Sequence, residues 1–137
     1  MKRKSRTPRV VAMDYLARRE HTRIELERKL AQKGFEPHDI SAALDKLRAQ
    51  NLQSDQRFAE HYAAHRARNG QGAFKIRLEL KARGVDDDLM EATMSALDVD
   101  WKALAQAVWD KKFGVSPQDL TEKAKQQRFM AQRGFEW

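Results

Sequence analysis

The residues of this chain best placed to do chemistry are its helix-borne lysines and arginines, and the chemistry they offer is the holding of anions. They gather where an amphipathic stretch exposes its polar side: Arg28, Lys29 and Lys33 in one segment, Lys75, Arg77, Lys81 and Arg83 in a second, Lys123, Lys125, Arg128 and Arg133 in a third. Arg18 and Arg19 precede the first segment, and Arg66 and Arg68 flank the run Asn69-Gly70-Gln71-Gly72. Guanidinium groups grip carboxylate or phosphate with two parallel bonds, and glycines let backbone N–H groups approach a ligand closely. That run lacks the Gly-Lys-Ser/Thr ending of a phosphate loop and has no strand before it, so a turn between two helices is the preferred reading. Lys33, Arg83 and Arg133 end their helices, where compensating the helix dipole alone accounts for a base. For Arg28, Arg77, Lys81, Lys125 and Arg128 a solvated face competes with a binding face; Lys29 and Lys75 stand with them among the candidates for meeting a partner or DNA.

Other chemistries find little support. His61 and His65 are one helical turn apart, a metal-ligand spacing, but Tyr62 stands where a zinc protease needs its glutamate and no third ligand is evident. Asp86-Asp87-Asp88 is explained by a helix start, and Trp101, Trp109 and Phe113 by core packing. With no cysteine among 137 residues, disulfides, thiolate metal sites and thiol nucleophiles are excluded, and a reducing compartment, the cytoplasm, is expected. No apolar run reaches the roughly 18 residues of a membrane span, and no apolar stretch follows the amino-terminal charges as in a secretion signal. The sequence therefore points to binding rather than catalysis, with no cofactor and no membrane partner.

Charge is unevenly spread: the net of +7 divides into +10 over residues 1–85, −6 over 86–100 and +3 over 101–137. The basic front attracts nucleic acid or an acidic protein surface, in either case less strongly as salt rises.

The elements that position these bases repeat. Glycines fall at 34, 84 and 134, each preceded by a base and followed by an apolar residue, and Ile40, Leu44 and Leu47 recur as Met90, Met94 and Leu97. Each of the first two units reads as three short helices, and the third lacks its last. In the first, Val10 to about Arg19 is helix one, Thr22-Arg23-Ile24-Glu25 is a capping box opening helix two, Gly34 closes it, and Pro37 starts helix three, which runs to Gln50. In the second, Ser54-Asp55 opens a helix to about Arg68, a further helix spans about Ala73 to Arg83, and the aspartate run feeds the last. In the third, Asp100-Trp101 leads a helix to Lys112, and Ser116-Pro117 caps another that reaches Arg133. The expected cores are Leu26, Leu30, Phe35, Ile40, Leu44 and Leu47; then Phe58, Tyr62, Ile76, Leu80, Val85, Met90, Met94 and Leu97; then Leu104, Val108, Phe129 and Met130. The fold class is all-α: tandem three-helix repeats, the last incomplete, stacked into an elongated, curved array. Residues 1–9 are expected to form a flexible basic arm, 10–50 the first unit, 51–98 the second and 99–137 the third. Helices this short are marginal alone, so each unit must bury its apolar stripe against its neighbours.

The same residues resemble the RecX family, bacterial regulators of the RecA recombinase, from about residue 10 to 135. The resemblance is carried by Tyr15-Leu16-Ala17-Arg18-Arg19-Glu20-His21-Thr22, Glu25-Leu26 and Lys33-Gly34-Phe35, by Ser54-Asp55-Gln56-Arg57-Phe58-Ala59, by Arg66, Gly70, Gly72, Ile76, Glu79-Leu80 and Gly84-Val85, by Asp98-Val99-Asp100-Trp101, and by Lys125-Gln126-Gln127-Arg128-Phe129-Met130 with Arg133-Gly134-Phe135. It is the order of these segments, together with the period, that is specific. The resemblance implies a monomeric helical modulator that lodges in the groove of the RecA–DNA filament, meets nucleic acid weakly or through that filament, and restrains ATP hydrolysis, strand exchange and filament growth. It also implies a further helix after Gly134, whereas the sequence stops at Trp137. The alternative is a helical-repeat DNA-binding protein acting without RecA; a metal-dependent enzyme would rest on His61 and His65 alone.

Overall fold

A computed structural model describes residues 6–137, which form eight helices and no strand. They are α1 (Pro8–Arg18), α2 (Arg23–Gln32), α3 (Pro37–Ala49), α4 (Asp55–Arg68), α5 (Ala73–Ala82), α6 (Asp87–Ala96), α7 (Trp101–Lys112) and α8 (Leu120–Gln132). Helices α1, α2 and α3 pack on one another, as do α4, α5 and α6; α7 and α8 share a smaller third core.

Local chemistry fixes most ends. Thr22 and Glu25 close a reciprocal capping box at the start of α2, and the side chains of Ser54, Asp86 and Asp100 cap α4, α6 and α7. Gly34, Gly84 and Gly134 close α2, α5 and α8 at φ of +90°, +89° and +90°, the left-handed region that costs glycine least. Two expectations are corrected. The stretch before residue 10 is not wholly an irregular arm: the Thr7 hydroxyl caps α1, Pro8 and Arg9 lie inside that helix, and Arg6 pairs with Asp14; residues 1–5 lie outside the described residues. Helix α8 starts at Leu120, not after Ser116-Pro117, because Asp119 accepts from the Glu122 amide at 2.8 Å and Glu122 from the Gln118 amide at 2.7 Å.

Each unit has its own core. Leu26, Leu30, Ile40, Leu44 and Leu47 are buried in the first, with Phe35 packed at the edge, and Val11 and Ala12 join them from α1. In the second, Phe58, Ile76, Leu80, Val85, Met90 and Met94 are buried, Tyr62 and Leu97 pack against them, and the small residues Ala59, Ala63 and Ala67 line α4 at helical spacing. The third is thinner: Ala105, Met130 and Phe135 are buried, with Trp101, Leu104, Val108, Trp109 and Phe129 around them. No helix follows Gln132, but Phe135 is folded back into this core and Trp137 stacks on Trp109, ring centroids 5.9 Å apart.

The units are joined by one device used twice. The hydroxyl of Thr22, the cap of α2, donates to the carbonyl of Arg83 at the end of α5 at 2.6 Å. Fifty residues on, the amide of Gly72, the cap of α5, donates to the carbonyl of Arg133 at the end of α8 at 2.6 Å, and the Phe74 amide to Gly134 at 3.2 Å. The three second helices thus run α8, α5, α2, each carbonyl end set against the amide end of the next, an alignment favourable to their dipoles. The first joint is reinforced by Asp55, which accepts from the Arg23 amide at 2.9 Å and from the Gln53 side chain at 2.8 Å, and by an Arg57–Glu20 ion pair.

Candidate functional site

The basic residues singled out by the sequence separate into those engaged within the fold and those offered to solvent. Arg66 turns inward: its Nε and Nη2 each lie 2.9 Å from the two oxygens of Glu79, to which the Tyr62 hydroxyl also donates at 3.2 Å. Burial by itself raises the Glu79 carboxyl, but Arg66 and Tyr62 outweigh it and hold the group below its ordinary value; the same pair raises Arg66. The Arg66–Gly72 segment is accordingly a turn between α4 and α5, clamped from one side by Arg66 and from the other by the joint to Arg133. Arg19 is half committed, donating to the Glu20 carbonyl at 2.7 Å and straddling Glu25 at 3.2 Å to each oxygen. Lys29 lies over the Tyr15 ring at 5.0 Å. Arg77 pairs with Glu91 at 2.9 Å, and the backbone of Lys75 lies against Gly134 in the second joint. Arg18, Arg28, Arg68, Lys81, Lys125 and Arg128 are exposed and make no ion pair among the described residues.

The bases do not repeat as a strict stripe. Positions 28, 78 and 128 hold Arg, Leu and Arg; positions 25, 75 and 125 hold Glu, Lys and Lys; positions 29, 79 and 129 hold Lys, Glu and Phe. Among the second helices' bases, only Lys33, Arg83 and Arg133 are equivalent in all three units, and each caps a helix. Arg83 also covers the Tyr62 ring at 4.6 Å and donates to the Glu79 carbonyl. Their recurrence is therefore structural.

A groove of about 600 Å³ between the end of α4 and the faces of α7 and α8 gathers four bases. Arg68, Lys111, Lys112 and Arg133 line it, with no acidic residue among its lining. Arg133 and Lys112 lie over the Phe129 ring at 5.0 and 5.1 Å, and the Gly70 backbone forms part of the wall. Three helix ends converge here, those of α4, α7 and α8. Their partial negative charge accounts for some of the lysine and arginine, but four full charges exceed three half charges, and the groove stays electropositive.

His61 and His65 are both exposed on α4, and His65 Nε2 faces the Asn69 amide at 3.1 Å. No group of three or more His, Asp and Glu able to hold a metal occurs among the described residues. Trp109 donates to Gln126 at 3.0 Å and Phe113 meets Phe129 edge-on, so these aromatic groups serve the third core. Among the described residues no helix is long and apolar enough to cross a membrane.

Three descriptions of consecutive domains match in order: "RecX, first three-helix domain" over residues 9–47, "RecX, second three-helix domain" over 54–94 and "RecX, third three-helix domain" over 98–137. The chain belongs to the RecX family. It is 44% identical over 128 residues to the regulatory protein RecX of Pseudomonas fluorescens Pf-5, covering 93% of this chain and 83% of that one. To the regulatory protein RecX of Chromohalobacter salexigens it is 45% identical over 131 residues, 96% and 86% of the two chains. The crystal structure of RecX from Lactobacillus salivarius superposes with a TM-score of 0.76 at 24% identity, covering 95% of this chain and 87% of that one. A second crystal structure, of a regulatory protein RecX, gives 0.80 at 21%, over 94% and 67%. At such identity these two speak for the fold, and the RecX fold of stacked helical units is the one found here.

Sequence reasoning placed Arg68 among the binding candidates and ascribed Arg133 to its helix end, but did not single out Lys111 and Lys112, which complete the groove of this RecX chain. Their signal was available as the adjacent pair ending α7; what the sequence lacked was the return of α8, which lays Phe129 and Arg133 beside them.

Proposed function

We propose that this chain regulates the RecA recombinase by lodging in the groove of the RecA–DNA filament, where it restrains ATP hydrolysis, strand exchange and filament growth. Membership of a family of regulatory proteins supports the regulatory half of this reading. The observation that carries the rest is the joint used twice, which sets three units end to end and leaves Arg28, Lys81, Lys125 and Arg128 outside every core. A chain of units held at fixed spacing can follow a periodic partner, each unit adding to the avidity of the last. In this reading the chain acts as a cytoplasmic monomer, the units divide at about residues 50 and 98, and Arg18, Arg28, Lys81, Lys125 and Arg128 meet the partner while Arg66 holds the fold.

The test is RecA's DNA-dependent ATPase with the purified chain added below stoichiometry. Slowing is expected; an unchanged rate at saturating protein rejects the proposal. A second reading, DNA binding without RecA, is favoured by the acid-free groove of Arg68, Lys111, Lys112 and Arg133. It requires tight affinity for bare DNA that falls steeply with salt, whereas the leading reading requires bare-DNA affinity well below filament affinity.

A further inference from the structure

The outward face of α5 carries Phe74, Arg77, Leu78 and Lys81, spaced three, four and seven residues from the first and so forming a single stripe along the helix. Phe74 is 64% exposed and Leu78 56%, and neither belongs to any of the three cores. Lone apolar residues at a surface are ordinary, but two large ones a turn apart beside a groove are not. The repeat does not call for them. The equivalents of Leu78 are Arg28 and Arg128, and those of Phe74 are Ile24, which packs on Gly84 in the first joint, and Ala124. Of the three second helices α2, α5 and α8, only α5 turns a pair of large apolar side chains outward.

Beside this stripe lies a groove of about 650 Å³, lined by Phe74 and Arg77 of α5, Trp101, Lys102 and Ala105 of α7, and Phe135 of the chain's end, with Glu136 at the same opening. It is mostly apolar inside. Its lining bases are Lys102, exposed and without an ion pair among the described residues, and Arg77, whose partner Glu91 is itself exposed; Lys81, exposed and likewise without an ion pair, lies one turn beyond Arg77 on α5. An apolar stripe with a parallel row of bases is the complement of a helix that carries aliphatic or aromatic anchors on one edge and carboxylates on the next.

We infer that the Phe74–Lys81 face of α5 and the adjoining groove form the docking site for an acidic amphipathic helix of a partner protein. The inference rests on the functional reading above, in that a recombinase subunit supplies the helix, and it assigns the apolar anchor of the protein contact to the middle unit rather than to the basic groove of the third. Phe74 and Leu78 anchor; Arg77 and Lys81 select against a basic or neutral segment.

The deciding experiment measures the affinity of fluorescently labelled full-length chain for RecA filaments on single-stranded DNA, and for that DNA alone. The double variant Phe74→Ala/Leu78→Ala should bind filaments about tenfold or more weakly, as expected on removing two central anchors. Its affinity for bare DNA should stay within about twofold of the unaltered chain, and its helical circular dichroism should be unchanged. Arg77→Glu/Lys81→Glu, which touches no core, should give the same selective loss and covers the case in which the alanine pair disturbs folding. If the unaltered chain binds filaments and both double variants bind equally well, the docking site is wrong while the functional reading stands. If the unaltered chain does not bind filaments, the functional reading falls and takes this inference with it. Equal loss on bare DNA would instead assign the face to nucleic acid, and conversion of a dimer to a monomer by the alanine pair would assign it to a second copy of the chain; either overturns the inference.

Discussion

Thr22 is fully buried at the start of α2, and its hydroxyl reaches across the unit boundary to the Arg83 carbonyl at 2.6 Å while accepting from the Glu25 amide at 3.1 Å. One side chain thus caps its own helix and ties down the end of another. In the second joint Gly72 replaces it, and the backbone amide makes the bond to Arg133 instead. The substitution is forced by space: a Cβ at Gly72 would overlap the carbonyl of Gly134 and the Phe135 ring. The same joint is therefore built from a side chain in one place and from bare backbone in the other.

The joint can be weighed by comparing two glycines. Gly84 at φ +89° has Ile24 against it, so a Cβ would come within 2.6 Å of the Ile24 side chain; Gly34 at φ +90° has open space. Gly34→Ala should cost about 1–2 kcal/mol, the left-handed backbone alone. Gly84→Ala should cost about 1–3 kcal/mol more, because the joint must open. Urea denaturation of the two variants checks this, and equal losses would show that the joint contributes nothing.

Arg66 should prove a stability residue. Arg66→Ala leaves Glu79 with only the Tyr62 hydroxyl and should destabilise by about 1–2 kcal/mol. Because the Glu79 carboxyl is held below its ordinary 4.5 in the folded chain, the stabilisation from this pair is complete above that pH and is lost as pH falls through the folded value. Denaturation curves across this range should show a shallower acid decline in Glu79→Gln than in the unaltered chain.

How much of this was legible in the sequence depended on distance along the chain. Caps at Thr22, Ser54 and Asp100 and the glycine stops were readable because cap and helix lie within four residues of one another. Seven of eight helices begin within two residues of their expected starts, and the exception, α8, arose where Ser116-Pro117 and Asp119 offered competing caps three residues apart. The alanines of α4 were missed because their role, letting α5 and α6 approach, depends on partners and not on their own hydrophobicity. Arg66 stood among the binding candidates because its partner Glu79 is thirteen residues away on another helix. The groove of Arg68, Lys111, Lys112 and Arg133 draws on three helices and two units, a juxtaposition that no local pattern encodes.

His21 provides a pH dependence of the opposite charge type. It is buried beside the first joint, its Nδ1 3.0 Å from the Arg19 carbonyl, with Tyr15, Arg19, Glu25 and Lys29 around it. Burial lowers its pKa below the ordinary 6.5, and the nearby positive charges of Arg19 and Lys29 add to the effect against the bond to Arg19 and the charge of Glu25. The unfolded chain therefore takes up a proton that the folded chain resists, and stability should fall as pH drops through the ordinary 6.5 toward the lower folded value. The thermal midpoint reports this, and His21→Asn should flatten the slope; an equal slope in that variant would overturn the assignment to His21.

Charge reversal in the third unit separates attraction to phosphate from recognition of protein. Lys111 and Lys112 are exposed in the last turn of α7, so Lys111→Glu/Lys112→Glu removes two bases from the groove and adds two acids to a helix end that disfavours them. The dipole cost is about 0.3–1 kcal/mol per residue, too small to unfold the unit. Affinity for single-stranded DNA should fall, and the slope of its logarithm against the logarithm of salt concentration should become shallower by about 0.7 for each phosphate no longer neutralised. If the two lysines serve only the helix dipole, affinity and slope stay where they were while the thermal midpoint drops. The two outcomes differ in the salt series alone, which therefore decides whether the groove meets nucleic acid.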